Sequence, residues 1–168
     1  MDEKKLPLTS HLQELRKRLI LSFIAIGIGF ALCYAFADSI FNILAAPLMK
    51  MMPAGGSLIF TSVAEAFFTS MKSAFVAGWI LTSPFVLYQI WAFVAPGLYQ
   101  KEKKYVVPFV LGGSFFFALG VLFGYYVAIP ISFKFLLGYA TDFIKPMPSM
   151  KEYLSFSIKF LLAFGLVF

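Results

Sequence analysis

Charge is scarce in this chain. Of 168 residues only 13% are Asp, Glu, Lys or Arg, about half the share found in soluble domains. There is one cysteine, Cys33, and one histidine, His11. A single cysteine excludes an intrachain disulfide. One His and one Cys make neither a zinc site nor a Cys–His nucleophile pair. The sequence has no phosphate-binding loop and no nucleophile elbow. Gly27-x-Gly29 lacks the third glycine of a dinucleotide fingerprint, Leu32 standing in its place. No metal or cofactor is expected. The acid–base candidates are too scattered for an enzyme.

Apolar residues fill the gap. They make up 61% of the chain, with 22 phenylalanines. A domain this small buries only about two-thirds of its unfolded surface, so it cannot hide that much from water. A soluble domain and a disordered chain are both excluded. The expected fold is an all-α integral membrane protein, a polytopic helical bundle in the lipid bilayer. The net charge of +6, from 14 Lys+Arg against 8 Asp+Glu, then reads as the basic flanks that orient spans, not as nucleic-acid binding.

The uncharged runs divide residues 1–168 into a single membrane domain with four predicted spans. A cytoplasmic segment (1–18) precedes a first span (19–37), long enough at about 28 Å to cross the hydrocarbon. An outer loop (38–65) follows, in which a short interfacial helix presenting Ile40, Ile43 and Leu44 competes with an ordinary packed loop. The second span (66–87) has Pro84 near its end, and the aromatic stretch after it begins a cytoplasmic connection (88–104). The third span is 105–131, then an outer loop (132–152). The last apolar stretch (153–168) is slightly short for a span and reads as truncated. Lys and Arg are five before the first span and one, Lys50, after it. The N-terminus and the 88–104 connection are therefore expected in the cytoplasm.

Several side chains invite two readings each. Ser10 with Gln13 can form a capping box for the first helix. Glu14 is an i,i+4 ion-pair partner of Arg18 or an acceptor for a partner's cations. Glu102, among Lys101, Lys103 and Lys104, is a solvated loop charge or a second such acceptor. Beyond Asp2 and Glu3 these two are the only acidic groups on the predicted cytoplasmic side. Two fixed carboxylates there can each receive a guanidinium through a bidentate pair of bonds. Glu65, Thr69, Lys72 and Ser73 form a polar stripe on the second span. Glu152, Ser155 and Lys159 form a weaker one on the fourth. Such stripes line a wet interior, or their lysines snorkel to the interface. The spacing Gly120-x-x-x-Gly124-x-x-x-Ala128 gives the third span a close-packing face.

Five stretches carry a resemblance. They are His11-Leu12-Gln13-Glu14-Leu15-Arg16-Lys17-Arg18-Leu19, Ala46-Pro47-Leu48, Leu87-Tyr88-Gln89-Ile90-Trp91-Ala92-Phe93-Val94-Ala95-Pro96-Gly97-Leu98-Tyr99, Lys101-Glu102-Lys103-Lys104 and Tyr153-Leu154-Ser155-Phe156. In order and spacing the chain resembles the TatC family, core receptors of the twin-arginine protein translocase. The resemblance implies a cupped bundle of six helices in the inner membrane, both termini cytoplasmic, of which this chain holds four. It implies binding of the twin-arginine signal peptides of folded cargo, cooperation with TatA and TatB, association with further copies of itself, and export driven by the proton-motive force. The family's signal-binding positions fall on Glu14, Arg16, Glu102, Phe93 and Pro47. The chain stops before the family's last two spans and is expected to be a fragment. The competing reading is a small-solute or ion carrier with Glu65, Thr69, Lys72 and Lys159 as its intramembrane site.

Overall fold

A computed structural model describes residues 8–52, 57–95, 105–139 and 147–168. These residues form α1 (Leu8–Tyr34), α2 (Ala37–Met49), α3 (Val63–Val94), α4 (Val106–Phe123), a π-helical turn (Gly124–Ala128) continuing into α5 (Ile129–Leu137), and α6 (Met150–Val167). Three helices among the described residues are long and apolar enough to cross a membrane: Ser10–Tyr34, Val63–Val94 and Val106–Leu137. The fourth expected span, α6, has 18 residues and carries Lys151, Glu152 and Lys159.

The helices run longer than the uncharged segments. Because α1 already includes Leu8 and Thr9, Ser10 is a helical residue and not the expected cap. α3 continues through the aromatic stretch to Val94, where the sequence suggested a connection from residue 88. Pro84 does not stop it. Proline removes the N–H that the Ile80 carbonyl would bond, and the Ser83 hydroxyl donates to that carbonyl at 2.7 Å. A local side chain thus repairs the ladder, as membrane helices allow.

α1 and α3 pair antiparallel. Toward the C-terminal end of α1 their backbones almost touch at two glycines. A Cβ on Gly78 would lie 2.6 Å from the Phe30 nitrogen, and one on Gly29 would lie 2.8 Å from the Gly78 oxygen. α4 crosses α6 in the same manner, since a Cβ on Gly120 would lie 2.9 Å from the Gly165 Cα. The small-residue face of the third span therefore packs within this chain, against α6. In lipid, where apolar contact has no hydrophobic drive, such backbone approach supplies much of the attraction between helices. Away from these seams α1 presents Phe23, Ile24, Ile28 and Leu32 outward.

The main core lies at the end far from the N-terminus. It joins Phe41, Ala45 and Leu48 of α2, Ile129 and Phe133 of α5, and Tyr153, Leu154 and Leu161 of α6. α2 is thus the short helix expected, but its buried face is Phe41–Ala45–Leu48, with Ile43 exposed. Pro47 lies inside α2 and deprives the Ile43 carbonyl of its N–H. The hydroxyl of Tyr125, in the π-turn, donates to that carbonyl at 2.6 Å. The Tyr153 hydroxyl donates to the neighbouring Leu44 carbonyl, also at 2.6 Å. Two tyrosines from two other helices therefore hold α2 beside its proline. The π-turn ends two residues before Pro130, which offers no N–H to Tyr126. The helix widens there, and the Ile129 N–H bonds Gly124.

Candidate functional site

At the N-terminal end of the bundle, α1 and α3 present polar groups to each other. Successive turns of α1 place His11, Glu14 and Arg18 toward α3. The Arg18 guanidinium bridges two acceptors. Its Nη2 donates to Glu14 Oε1 at 3.0 Å and its Nη1 to Gln89 Oε1 at 3.0 Å. Both members of the Glu14–Arg18 pair are about a quarter exposed, whereas Gln89 is buried. The ion pair expected one turn apart is therefore present, and it is also a tie between helices. One turn beyond Gln89, Phe93 stacks on His11 with ring centroids 4.4 Å apart and planes at 24°. Trp91 meets Phe109 at 4.4 Å, carrying the contact on to α4.

Glu14 opens on a cleft of about 470 Å³ lined by Ser10, Gln13, Glu14, Lys17, Arg18 and Leu21. Arg16 is exposed in the adjoining cleft with Lys17, Ile20 and Leu21. Two residues along a helix is more than a half-turn, so Arg16 does not face α3 with Glu14. The geometry offers one carboxylate at an accessible surface, beside Lys17 and Arg18, with Leu21 as the one apolar residue lining its cleft. Among the side chains lining this cleft, Glu14 is the one whose charge attracts a cation.

Of the five residues singled out by the resemblance, three stand at this end: Glu14, Arg16 and Phe93. Glu102 lies outside the described residues. Its segment joins α3 to α4, whose adjoining ends are linked here by Trp91 and Phe109. Pro47 is not brought to Glu14. It lies in α2, past the far end of the 27-residue α1. Sequence reasoning gave no role to Gln89 or to the ring of His11. A polar residue in an apolar helix was a usable signal for Gln89, masked by the expectation that the helix had ended.

The polar stripe of α3 resolves into a different arrangement. Glu65, Thr69 and Ser73 are buried, and Lys72 is exposed. Ser73 spends its hydroxyl on the Thr69 carbonyl at 2.9 Å. Glu65 lies just before the predicted span and receives four donors. They are the hydroxyl of Ser149, the N–H of Lys151 at 3.0 Å, and the N–H and hydroxyl of Thr61 at 2.7 Å each. Both carboxylate oxygens are thereby engaged, Oε1 by Ser149 and Lys151 and Oε2 by Thr61. One carboxylate thus caps α6 and pins it to the start of α3. Short backbone bonds between Ile59 and the 148–150 segment run beside it. With its oxygens so engaged, Glu65 is a structural tie and not an open ion site. Lys159 is exposed on α6, apart from this cluster. Among the described residues no group of three His, Cys, Asp or Glu is placed to hold a metal.

Comparison with known proteins adds a separate line. A family model described as "Sec-independent protein translocase protein (TatC)" matches residues 10–168. A Desulforapulum autotrophicum protein named "Sec-independent protein translocase protein TatC" is 52% identical over 167 residues, 99% of this chain and 62% of its own length. The protein of that name from Escherichia coli K12 is 41% identical over 162 residues, 96% of this chain and 63% of its own. A crystal structure titled as the twin-arginine translocase receptor TatC superposes with a TM-score of 0.84 at 42% identity, covering 93% of this chain and 69% of that one. The chain spans about three-fifths of the length of the curated relatives it matches.

Proposed function

Since this chain belongs to the TatC family, we propose that it serves as the signal-receiving part of a Sec-independent translocase, with Glu14 as an acceptor for cargo arginines. The observation that carries the reading is Glu14 itself. It is a partly exposed carboxylate, already paired with a guanidinium, on a cleft lined also by Gln13, Lys17 and Leu21. Glu102 supplies the second carboxylate. A twin-arginine signal then offers one fork to each. Its apolar stretch continues into lipid along α1. Arg16 attracts the acidic and carbonyl groups of the same segment, and Phe93 with His11 walls the site. Pro47 acts at a distance, through the packing of α2.

The reading extends to the whole protein. It is a multi-pass protein of the inner membrane with a cytoplasmic N-terminus. Spans at 19–37, 66–87, 105–131 and 153–168 form a single membrane domain, part of a cupped six-helix bundle. TatA and TatB are its partners, further copies of itself assemble with it, and the proton-motive force drives export. No step calls for an enzyme or a cofactor. The carrier alternative is not favoured, because Glu65 has no oxygen left for a solute.

Binding of a labelled twin-arginine peptide to Glu14→Gln and Glu102→Gln variants tests the reading. Each is expected to weaken binding by about tenfold or more, the worth of one charge-assisted contact. Glu102→Asp is expected to be milder, since the charge stays and the reach shortens. Unchanged affinity in both glutamine variants refutes the assignment.

A further inference from the structure

Arg18 sits on the carboxylate that cargo is proposed to use. A planar guanidinium has donors on more than one edge, so one arginine serves Glu14 and Gln89 together. Its two acceptors differ. Glu14 is on the same helix and opens on the cleft, whereas Gln89 is on α3 and only 4% exposed. The arm on Gln89 is anchored and the arm on Glu14 is exchangeable.

We propose that Arg18 is an internal placeholder for a cargo arginine. An arriving guanidinium replaces Nη2 of Arg18 on Glu14, while Nη1 stays on Gln89. Arg18 and Gln89 are then positioning residues that set the affinity of the Glu14 site and its preference for arginine over lysine. This rests on the reading of Glu14 as the cargo's acceptor.

The physical ground is an exchange balance. A carboxylate that is already paired yields a newcomer only the difference between two pairs. A lysine ammonium is a point charge without the fork, so it loses this exchange more often than an arginine does. Displacement must also not strand Arg18, because an unpaired charge at a protein–lipid boundary is heavily disfavoured. Gln89 prevents this by keeping one bond throughout. The His11–Phe93 stack, one turn along α3, fixes the distance that Arg18 has to span.

The test uses the full chain in detergent and fluorescence anisotropy with a twin-arginine peptide and its twin-lysine counterpart. Arg18→Met keeps an apolar stem and removes the placeholder. It is expected to raise twin-arginine affinity by about two- to tenfold, the range from a helix-surface pair to a charge-assisted bond. Twin-lysine affinity should rise more, narrowing the preference. Gln89→Met is expected to weaken twin-arginine binding several-fold, and to do nothing once Arg18 is Met. A structural role alone does not produce that dependence. Arg18→Met with unchanged or lower affinity, while Glu14→Gln still loses binding, overturns the placeholder and leaves the receptor reading standing. Unchanged binding in Glu14→Gln overturns both. Should Arg18→Met lose its helical circular dichroism, Arg18→Lys decides. Its ammonium is a single point without the fork that holds Glu14 and Gln89 from separate nitrogens, and an unaltered arginine-to-lysine preference in it overturns the proposal.

Discussion

The clearest quantitative consequence concerns a tyrosine and a proline on different helices. Pro47 leaves the Ile43 carbonyl without its helical N–H, and the Tyr125 hydroxyl replaces that donor at 2.6 Å. Tyr125→Phe removes the replacement and little else. A buried polar group left without a partner costs about 1–3 kcal/mol, and because this bond lies at an exposed position the cost here falls toward the lower end. Pro47→Ala restores the N–H, so in that background the carbonyl is satisfied from within α2. Loss of the tyrosine hydroxyl should then cost well under ~1 kcal/mol. The expected coupling between the two substitutions is therefore about 1–2 kcal/mol. Unfolding of the four proteins by sodium dodecyl sulfate in mixed micelles, followed by loss of tertiary signal, measures it. Equal destabilisation by Tyr125→Phe in both backgrounds refutes the reasoning, since the hydroxyl would then act independently of the missing N–H.

Two further outcomes are expected. Gly78→Ala should destabilise by roughly 1–3 kcal/mol through overpacking. Its Cβ would meet α1 backbone at 2.6 Å, while Gly27→Ala, with nothing within 4 Å, should be neutral. Thermal unfolding in detergent compares the pair. Glu65 accepts all four of its hydrogen bonds as a carboxylate, so a neutral glutamine there should loosen the joint between α3 and α6. Amide hydrogen-exchange protection in the 148–152 segment reports on that joint. Glu65→Gln should exchange faster than the parent protein at neutral pH. An unaltered profile in the variant refutes the role of the carboxylate.

The two carboxylates of interest show how differently acid groups can be used in a membrane protein. Glu65 is surrounded by donors from its own chain and closes the joint between α3 and α6. Glu14 shares one arginine and faces a cleft. The first has no capacity left for a partner, and the second is the one we propose to change partners. Only the second suits a receptor, and that contrast separates the receptor reading from the carrier reading.

Composition and the uncharged runs sufficed for the class of protein, because lipid demands long apolar helices whatever their neighbours are. The Glu14–Arg18 pair and the small-residue face around Gly120 were also legible, since helical spacing alone puts those residues together. Helix ends were not. Pro84 is tolerated near a span's end, but how far the helix runs beyond it depends on the Ser83 hydroxyl reaching Ile80, a rotamer that spacing does not encode. The inward face of α2 was not legible for a related reason. Its apolar residues lie on more than one side, and only the partners offered by α5 and α6 decide which side is buried. The tertiary structure alone joined Arg18 to Gln89, His11 to Phe93 and Glu65 to Ser149, pairs far apart in the chain. Short-range order follows from a helix's fixed geometry. Which distant polar groups meet depends on how the helices cross, and here the glycine contacts between backbones set that crossing.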